Sequence, residues 1–238
     1  MEKREKLYEG KAKIIYATDE PDKVIAYYKD SATAFDAIKK ATIEGKGVLN
    51  NKIASFFFQL LNEKGIPTHF IKQISDREML IYKVDIIPVE VVVRNIAAGS
   101  IVKRLGIPEK KEFDPPLVEF YLKNDELHDP IICEQHIYAM DLAKPEEVQK
   151  MKELALKVND VLREFMREQG IILVDFKLEF GRKDGQIILA DEISPDTCRF
   201  WDAKTGEKLD KDRFRFDLGD LIEGYTKILE KIQKKEGE

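Results

Sequence analysis

From Leu173 to Phe180 the chain alternates between apolar and charged side chains. Val174, Phe176, Leu178 and Phe180 fall on one face of a strand, and Asp175, Lys177 and Glu179 on the other. Two carboxylates and a lysine on one strand face are costly if dry and unpaired, so that face is expected to line a cleft. A turn follows at Gly181-Arg182-Lys183-Asp184-Gly185, and Gln186 to Glu192 reads as the returning strand. The segment before it changes period. From Pro145 to Gln169 the apolar positions Val148, Met151, Leu154, Val158, Val161, Leu162 and Phe165 form a helical stripe, with proline in the first turn and Gly170 at the end.

The same patterning organises the rest. Residues 6–16 read as strand, tight turn at Glu9-Gly10, and strand, with Lys11 and Lys13 on a shared face. Val24 to Lys29 is a second short strand, and residues 30–46 are a polar connection containing Asp36 and Glu44. Val48 to Lys64 is an apolar helix closed by Gly65 with Pro67 beyond. Strands are expected at 68–73, 79–84 and 89–94, with a hinge at residues 83–87. A small-residue turn at Ala97-Ala98-Gly99 then leads to Ser100 as the cap of a short helix. The last helix spans Leu218 to Ile232. A β-rich lobe over 1–86 and a second lobe over 87–238 follow from this order.

Candidate chemistry gathers at four places. A glycine hairpin carrying Lys11 and Lys13 can lie over phosphates, although Walker spacing is absent, and an ordinary hairpin with solvated lysines fits the same residues. Arg94 at a strand end, beside the capped helix at Ser100, suits an anion, and a structural ion pair is the alternative. The third place is the Asp175–Asp191 hairpin, where loop length decides. A two-residue Asp184-Gly185 turn pairs Lys183 with Gln186 and sends Asp191 to the face opposite Glu179. A three-residue loop pairs Arg182 with Gln186 and sets Glu179 diagonal to Asp191, roughly 7–8 Å apart along the backbones. The expectation is the second register, with Glu179 and Asp191 holding magnesium; a solvated surface hairpin is the alternative. Fourth, Ser194-Pro195-Asp196-Thr197-Cys198-Arg199 sets Asp196 and Arg199 at the cleft mouth, with Asp212, Arg213 and Arg215 following. The lone histidines, His69, His128 and His136, are read as structural.

Composition narrows the partners. The 238 residues carry 40 basic and 45 acidic side chains, for a net charge of −5, with no basic block suited to nucleic acid or a membrane surface. An anionic substrate therefore requires a local basic cluster. Cys133 and Cys198 lack metal or redox spacing, which points to a reducing compartment. The first ten residues lack the apolar core of a secretion signal, and no apolar run is long enough to span a bilayer. The expectation is a soluble cytoplasmic protein.

Five blocks, in order, carry a family resemblance: LYEGKAKIIY, GKGVLNNKIASFFFQLL, PVEVVVRNIAAGSIVKRLG, ILVDFKLEFG, and DEISPDTCRFWD followed by DKDRFR. Together they resemble the phosphoribosylaminoimidazole-succinocarboxamide synthase (SAICAR synthetase) family of purine biosynthesis over nearly the full chain. Thr197 and Cys198 stand where some relatives have Gly and Ser, and the 31–46 loop also departs from them. The resemblance implies an α/β (α+β) fold of two lobes, ATP-grasp-like and distantly kinase-like, with antiparallel sheets and packed helices. It implies ligation of L-aspartate to carboxyaminoimidazole ribonucleotide (CAIR) with ATP and Mg²⁺, in a homodimer. By the same resemblance, Gly10, Lys11 and Lys13 meet ATP phosphates and Lys83, Val84 and Asp85 meet adenine. Glu179 and Asp191 bind the metal. Arg94, Ser100, Asp175, Lys177, Asp196, Arg199, Asp212 and Arg215 meet CAIR, with Asp175, Lys177 and Arg199 at the chemistry. Another ATP-dependent ligase or small-molecule kinase, and a nucleotide-sensing protein without turnover, are the competing readings.

Overall fold

The computed structural model describes residues 2–34 and 38–234. In chain order, β1 (Lys3–Glu9), β2 (Lys13–Thr18) and β3 (Lys23–Tyr28) precede a small hairpin of β4 (Ser31–Ala34) and β5 (Lys39–Thr42). Then come α1 (Lys46–Glu63), β6 (Phe70–Gln73), β7 (Glu78–Tyr82), β8 (Asp85–Ile96), α2 (Ser100–Leu105) and β9 (Glu112–Leu122). After β10 (Ile131–Ile132) and α3 (Glu134–Ala139), the long α4 (Pro145–Glu168) leads into β11 (Ile171–Lys183), β12 (Gln186–Ala190) and β13 (Cys198–Asp202). The short α5 (Asp212–Arg215) and α6 (Leu221–Gln233) complete the described chain.

The architecture is mixed α/β with antiparallel sheets. One sheet has the order β1-β2-β3-β7-β6; the other runs β10-β9-β8-β11-β12, with β13 also paired to β11. The chain leaves the first at Tyr82 and enters the second at Asp85. A seam joins the two sheets: His69 N–H donates to Leu189 O at 2.8 Å, and Leu189 N–H to Pro67 O at 3.0 Å.

β11 is the axis of the second sheet. Its inner face sets Phe176, Leu178 and Phe180 against the stripe of α4, in a core that also takes Val89, Val91 and Val93 of β8. Burial of one such side chain contributes roughly 1.5–3 kcal/mol. The predicted helix over 145–169 matches α4 within a residue, because its period and its terminal proline and glycine agree. The alternation fails at one point. A register shift between Leu173 and Asp175 turns Val174 away from Phe176, to pack with Ala98 and Trp201.

The expected three-residue hairpin loop is not formed. Lys183 pairs with Gln186 across a two-residue turn, and Glu179 pairs with Ala190. Asp184 and Gly185 both have positive φ, 50° and 76°, as the type I′ turn requires. The Asp-Gly preference for that turn outweighed the argument from metal geometry.

Candidate active site

The charged face of β11 opens onto a cleft of about 850 Å³ between the two sheets. Register explains its floor. Asp175 lies opposite Arg94, Lys177 opposite Val92, and Glu179 opposite Glu90, so all six side chains share one face, and all six line the cleft. Two glutamates directly across a ladder repel. Lys177 resolves this, with Nζ donating to Glu90 and to Glu179 at 2.7 Å each. Lys123, at the end of β9, donates to Glu179 at 2.7 Å from the other side.

Asp191 reaches the same floor by an unexpected route. With a two-residue turn, strict alternation would point it into the core. Instead its backbone adopts a left-handed conformation, φ 59°, one that aspartate tolerates better than most residues. Its side chain turns to Lys13, with a short ion pair, and lies 3.8 Å from Lys177 Nζ. Glu179 and Asp191 thus both contact Lys177, in spite of the register.

Lys13 lies 3.2 Å from Glu192, which also accepts the Ser194 hydroxyl at 2.7 Å. Burial alone would raise the Asp191 carboxyl, but Lys13, Lys177 and Lys123 outweigh it and hold the group well below the usual carboxylate range. Burial likewise opposes the charge on Lys13 and Lys177, and the surrounding carboxylates raise both well above an ordinary lysine. These groups stay ionised through neutral pH.

The other end of the cleft is arginine-rich. Arg94 Nη1 donates to Asp175 at 2.5 Å, and Arg199 Nη1 donates to the same carboxylate at 2.9 and 3.1 Å. Arg199 Nε continues to Asp212 at 3.0 Å, and Asp212 accepts from Arg215 at 2.7 Å. Gly99 is required beside this chain. A Cβ there would stand 2.4 Å from Arg199 Nη2, and φ is 63°.

Several expected site residues lie elsewhere. Gly99, not Ser100, occupies the cap position of α2; Ser100 is the exposed first helical residue and is not among the cleft-lining residues. A glycine there allows the close approach of Arg199, which a serine cap would block. Asp196 lines the cleft as expected, but its side chain is turned inward, ion-paired with the fully buried Lys46 at 2.5 Å and accepting the Tyr225 hydroxyl at 2.6 Å. Lys83 and Val84 line the cleft, whereas Asp85 is exposed and lies 3.6 Å from Arg182. Gly10, Lys11 and Lys13 line it, and Lys11 reaches across to Asp125 at 2.7 Å. Arg215 lines it, and Asp212 lies behind as partner to Arg199 and Arg215. Glu44 is exposed, and Asp36 falls outside the described residues.

Sequence reasoning missed Glu90, Lys123, Glu192 and Lys211, all of which line the cleft. Only Glu90 carried a signal, as the alternation Glu90, Val92, Arg94 sets it beside a residue already singled out.

The SAICAR synthetase sequence model matches residues 6–232. The chain belongs to the SAICAR synthetase family. The phosphoribosylaminoimidazole-succinocarboxamide synthase of Caldanaerobacter subterraneus subsp. tengcongensis is 58% identical over 234 residues, 98% of this chain and 100% of its own length. That of Clostridium botulinum (strain Loch Maree) is 57% identical over the same span. A solved SAICAR synthetase in complex with ADP superposes with a TM-score of 0.94 at 54% identity, covering 98% of this chain and 100% of that one. The family resemblance in the sequence and the fold therefore agree.

Proposed function

We propose that this chain joins L-aspartate to the carboxylate of CAIR using ATP, yielding SAICAR, ADP and phosphate. The observation that carries this is the Lys177 ammonium held between Glu90, Glu179 and Asp191 on the cleft floor. It sits between a lysine-bearing hairpin on one side and the arginine chain on the other. Phosphoryl transfer is governed by positioning and charge neutralisation, and both are supported here. The ADP complex of the related SAICAR synthetase supports nucleotide use.

On this reading, residues 1–86 form the nucleotide lobe and 87–238 the CAIR lobe. Lys11 and Lys13 meet ATP phosphates at the Gly10 turn, and Lys83 and Val84 flank adenine. Arg94, Asp175, Arg199 and Arg215 meet CAIR, with Asp212 acting through the two arginines it pairs. A CAIR carboxylate oxygen attacks the γ-phosphorus, the bond to the bridging oxygen breaks and ADP leaves. The aspartate amine then attacks the acyl carbon, and phosphate departs with one oxygen from CAIR. Lys177 neutralises charge on the transferring group.

Among the described residues, no three His, Cys, Asp or Glu side chains converge as a metal-ligand set. The donors nonetheless fit Mg²⁺, which commonly takes one or two protein carboxylates and completes its shell with phosphate oxygens and water. Glu179 and Asp191 would hold it, and when bound it supplies neutralisation of phosphate charge. Homodimer formation and a cytoplasmic location complete the proposal; no described helix is long and apolar enough to cross a membrane.

The acyl phosphate is tested by CAIR carrying ¹⁸O in its carboxylate. One labelled oxygen is expected in the phosphate released, and unlabelled phosphate would rule the route out.

A further inference from the structure

Arg94 is the junction of the arginine chain, yet two of the groups that hold it lie outside the cleft. Its Nε donates to Glu119 at 2.7 Å, and its Nη2 to the Tyr121 hydroxyl at 3.3 Å. The Tyr121 hydroxyl in turn donates to Glu119 at 3.0 Å. Arg104, in the last turn of α2, closes the group from behind, with Nη1 donating to Tyr121 at 2.8 Å and Nη2 pairing with Glu119. Neither Glu119 nor Tyr121 lines the cleft, while Arg94 and Asp175 do.

The registers account for this arrangement. Glu119 lies opposite Val92 and Tyr121 opposite Glu90 on β9, so both project from the sheet face that carries Arg94. The Arg94 side chain is 5% exposed and that of Glu119 is 12%. Burial works against the Glu119 charge, but Arg94 and Arg104 outweigh it and keep the carboxyl ionised. A buried guanidinium held along Nε, Nη1 and Nη2 by three different side chains has little rotational freedom. Its remaining N–H groups are aimed by the groups that hold the others.

We propose that Glu119 and Tyr121 are positioning residues for CAIR, acting through Arg94. This rests on the proposed function, in which Arg94 meets CAIR. Neither residue touches the substrate. They fix the plane of the guanidinium, and Arg104 couples that plane to α2 and to the Gly99 turn against which Arg199 packs.

A purely electrostatic role makes the opposite prediction for one substitution. Removing the negative charge of Glu119 leaves the cleft more positive and should tighten an anionic substrate. If Glu119 positions Arg94, Glu119→Gln instead sets an amide N–H against an arginine donor and loosens the guanidinium.

The experiment measures kcat and KM for CAIR, ATP and aspartate, with thermal midpoints, in the wild-type protein, Tyr121→Phe and Glu119→Gln. Expected is a rise of about tenfold in the CAIR KM of both variants, the scale of one hydrogen bond to a charged group. The ATP KM stays within about twofold of wild type. Tyr121→Phe deletes one oxygen and no charge, so it carries the test if Glu119→Gln fails to fold. A CAIR KM that falls or stays constant would overturn the proposal. So would a parallel rise in all three KM values with a lower thermal midpoint, the mark of a merely structural role. Absence of CAIR-dependent turnover in the wild-type protein would instead overturn the underlying functional reading.

Discussion

Lys177 illustrates how a costly residue becomes a useful one. A half-buried ammonium is unfavourable alone, and so are facing glutamates on adjacent strands. Set between Glu90 and Glu179, it resolves both problems and leaves a strongly held cation on the cleft floor. Lys177→Ala is expected to lower kcat by about a hundredfold, the scale of losing one preorganised electrostatic contact. The near-ultraviolet circular dichroism should stay native, since Lys123 still pairs with Glu179. Near-normal turnover would end the proposed role. Glu179→Gln tests the metal assignment separately. The Mg²⁺ concentration for half-maximal rate should rise about tenfold or more, because even outer partners of metal ligands produce that loss; an unchanged titration counts against Glu179 as a ligand.

At the scale of elements, α4, α6 and the strand face of β11 were legible because one period decided each, whereas the short α3 and α5 carried no period to read. Val148 to Phe165 can only be a helical stripe, and Asp175, Lys177 and Glu179 can only share a strand face. The hairpin was misread because two local rules competed. Asp184-Gly185 favours the two-residue turn, and a left-handed Asp191 then restores the shared face that the longer loop was invoked to provide. One unusual φ at a single aspartate leaves no periodic trace. The partners Lys123 and Glu192 were also illegible, since cross-sheet proximity depends on register. Element packing yields its own prediction at Gly181. A Cβ there would lie 2.6 Å from Val84 Cγ2 and 3.3 Å from the Asp85 carbonyl oxygen. Valine is stiff, so Gly181→Ala must shift the 83–85 connection. The ATP KM should rise several-fold, about fivefold, with the CAIR KM unchanged; equal effects on both substrates would disconnect that segment from the nucleotide.

Across the whole molecule, the two sheets are held by the His69–Leu189 seam and by Lys13 reaching Asp191 and Glu192. The site is a product of that juxtaposition, which no single segment encodes. The seam also gives a pH dependence. Burial, reinforced by Lys13, lowers His69 from 6.5 to about 3. A depressed folded-state pKa stabilises above the unfolded value and loses that contribution as pH falls. Stability should therefore decline from pH 6.5 towards about 3, and His69→Gln should flatten the decline between pH 6.5 and the carboxylate range. Parallel profiles for the two proteins would exclude His69 as a source of the slope. The central claim is that the cleft couples three substrates. Its most direct test is steady-state ADP release with ATP, CAIR and L-aspartate, each omitted in turn. The account predicts sustained release only when all three are present. Undiminished release without CAIR or without aspartate would contradict it.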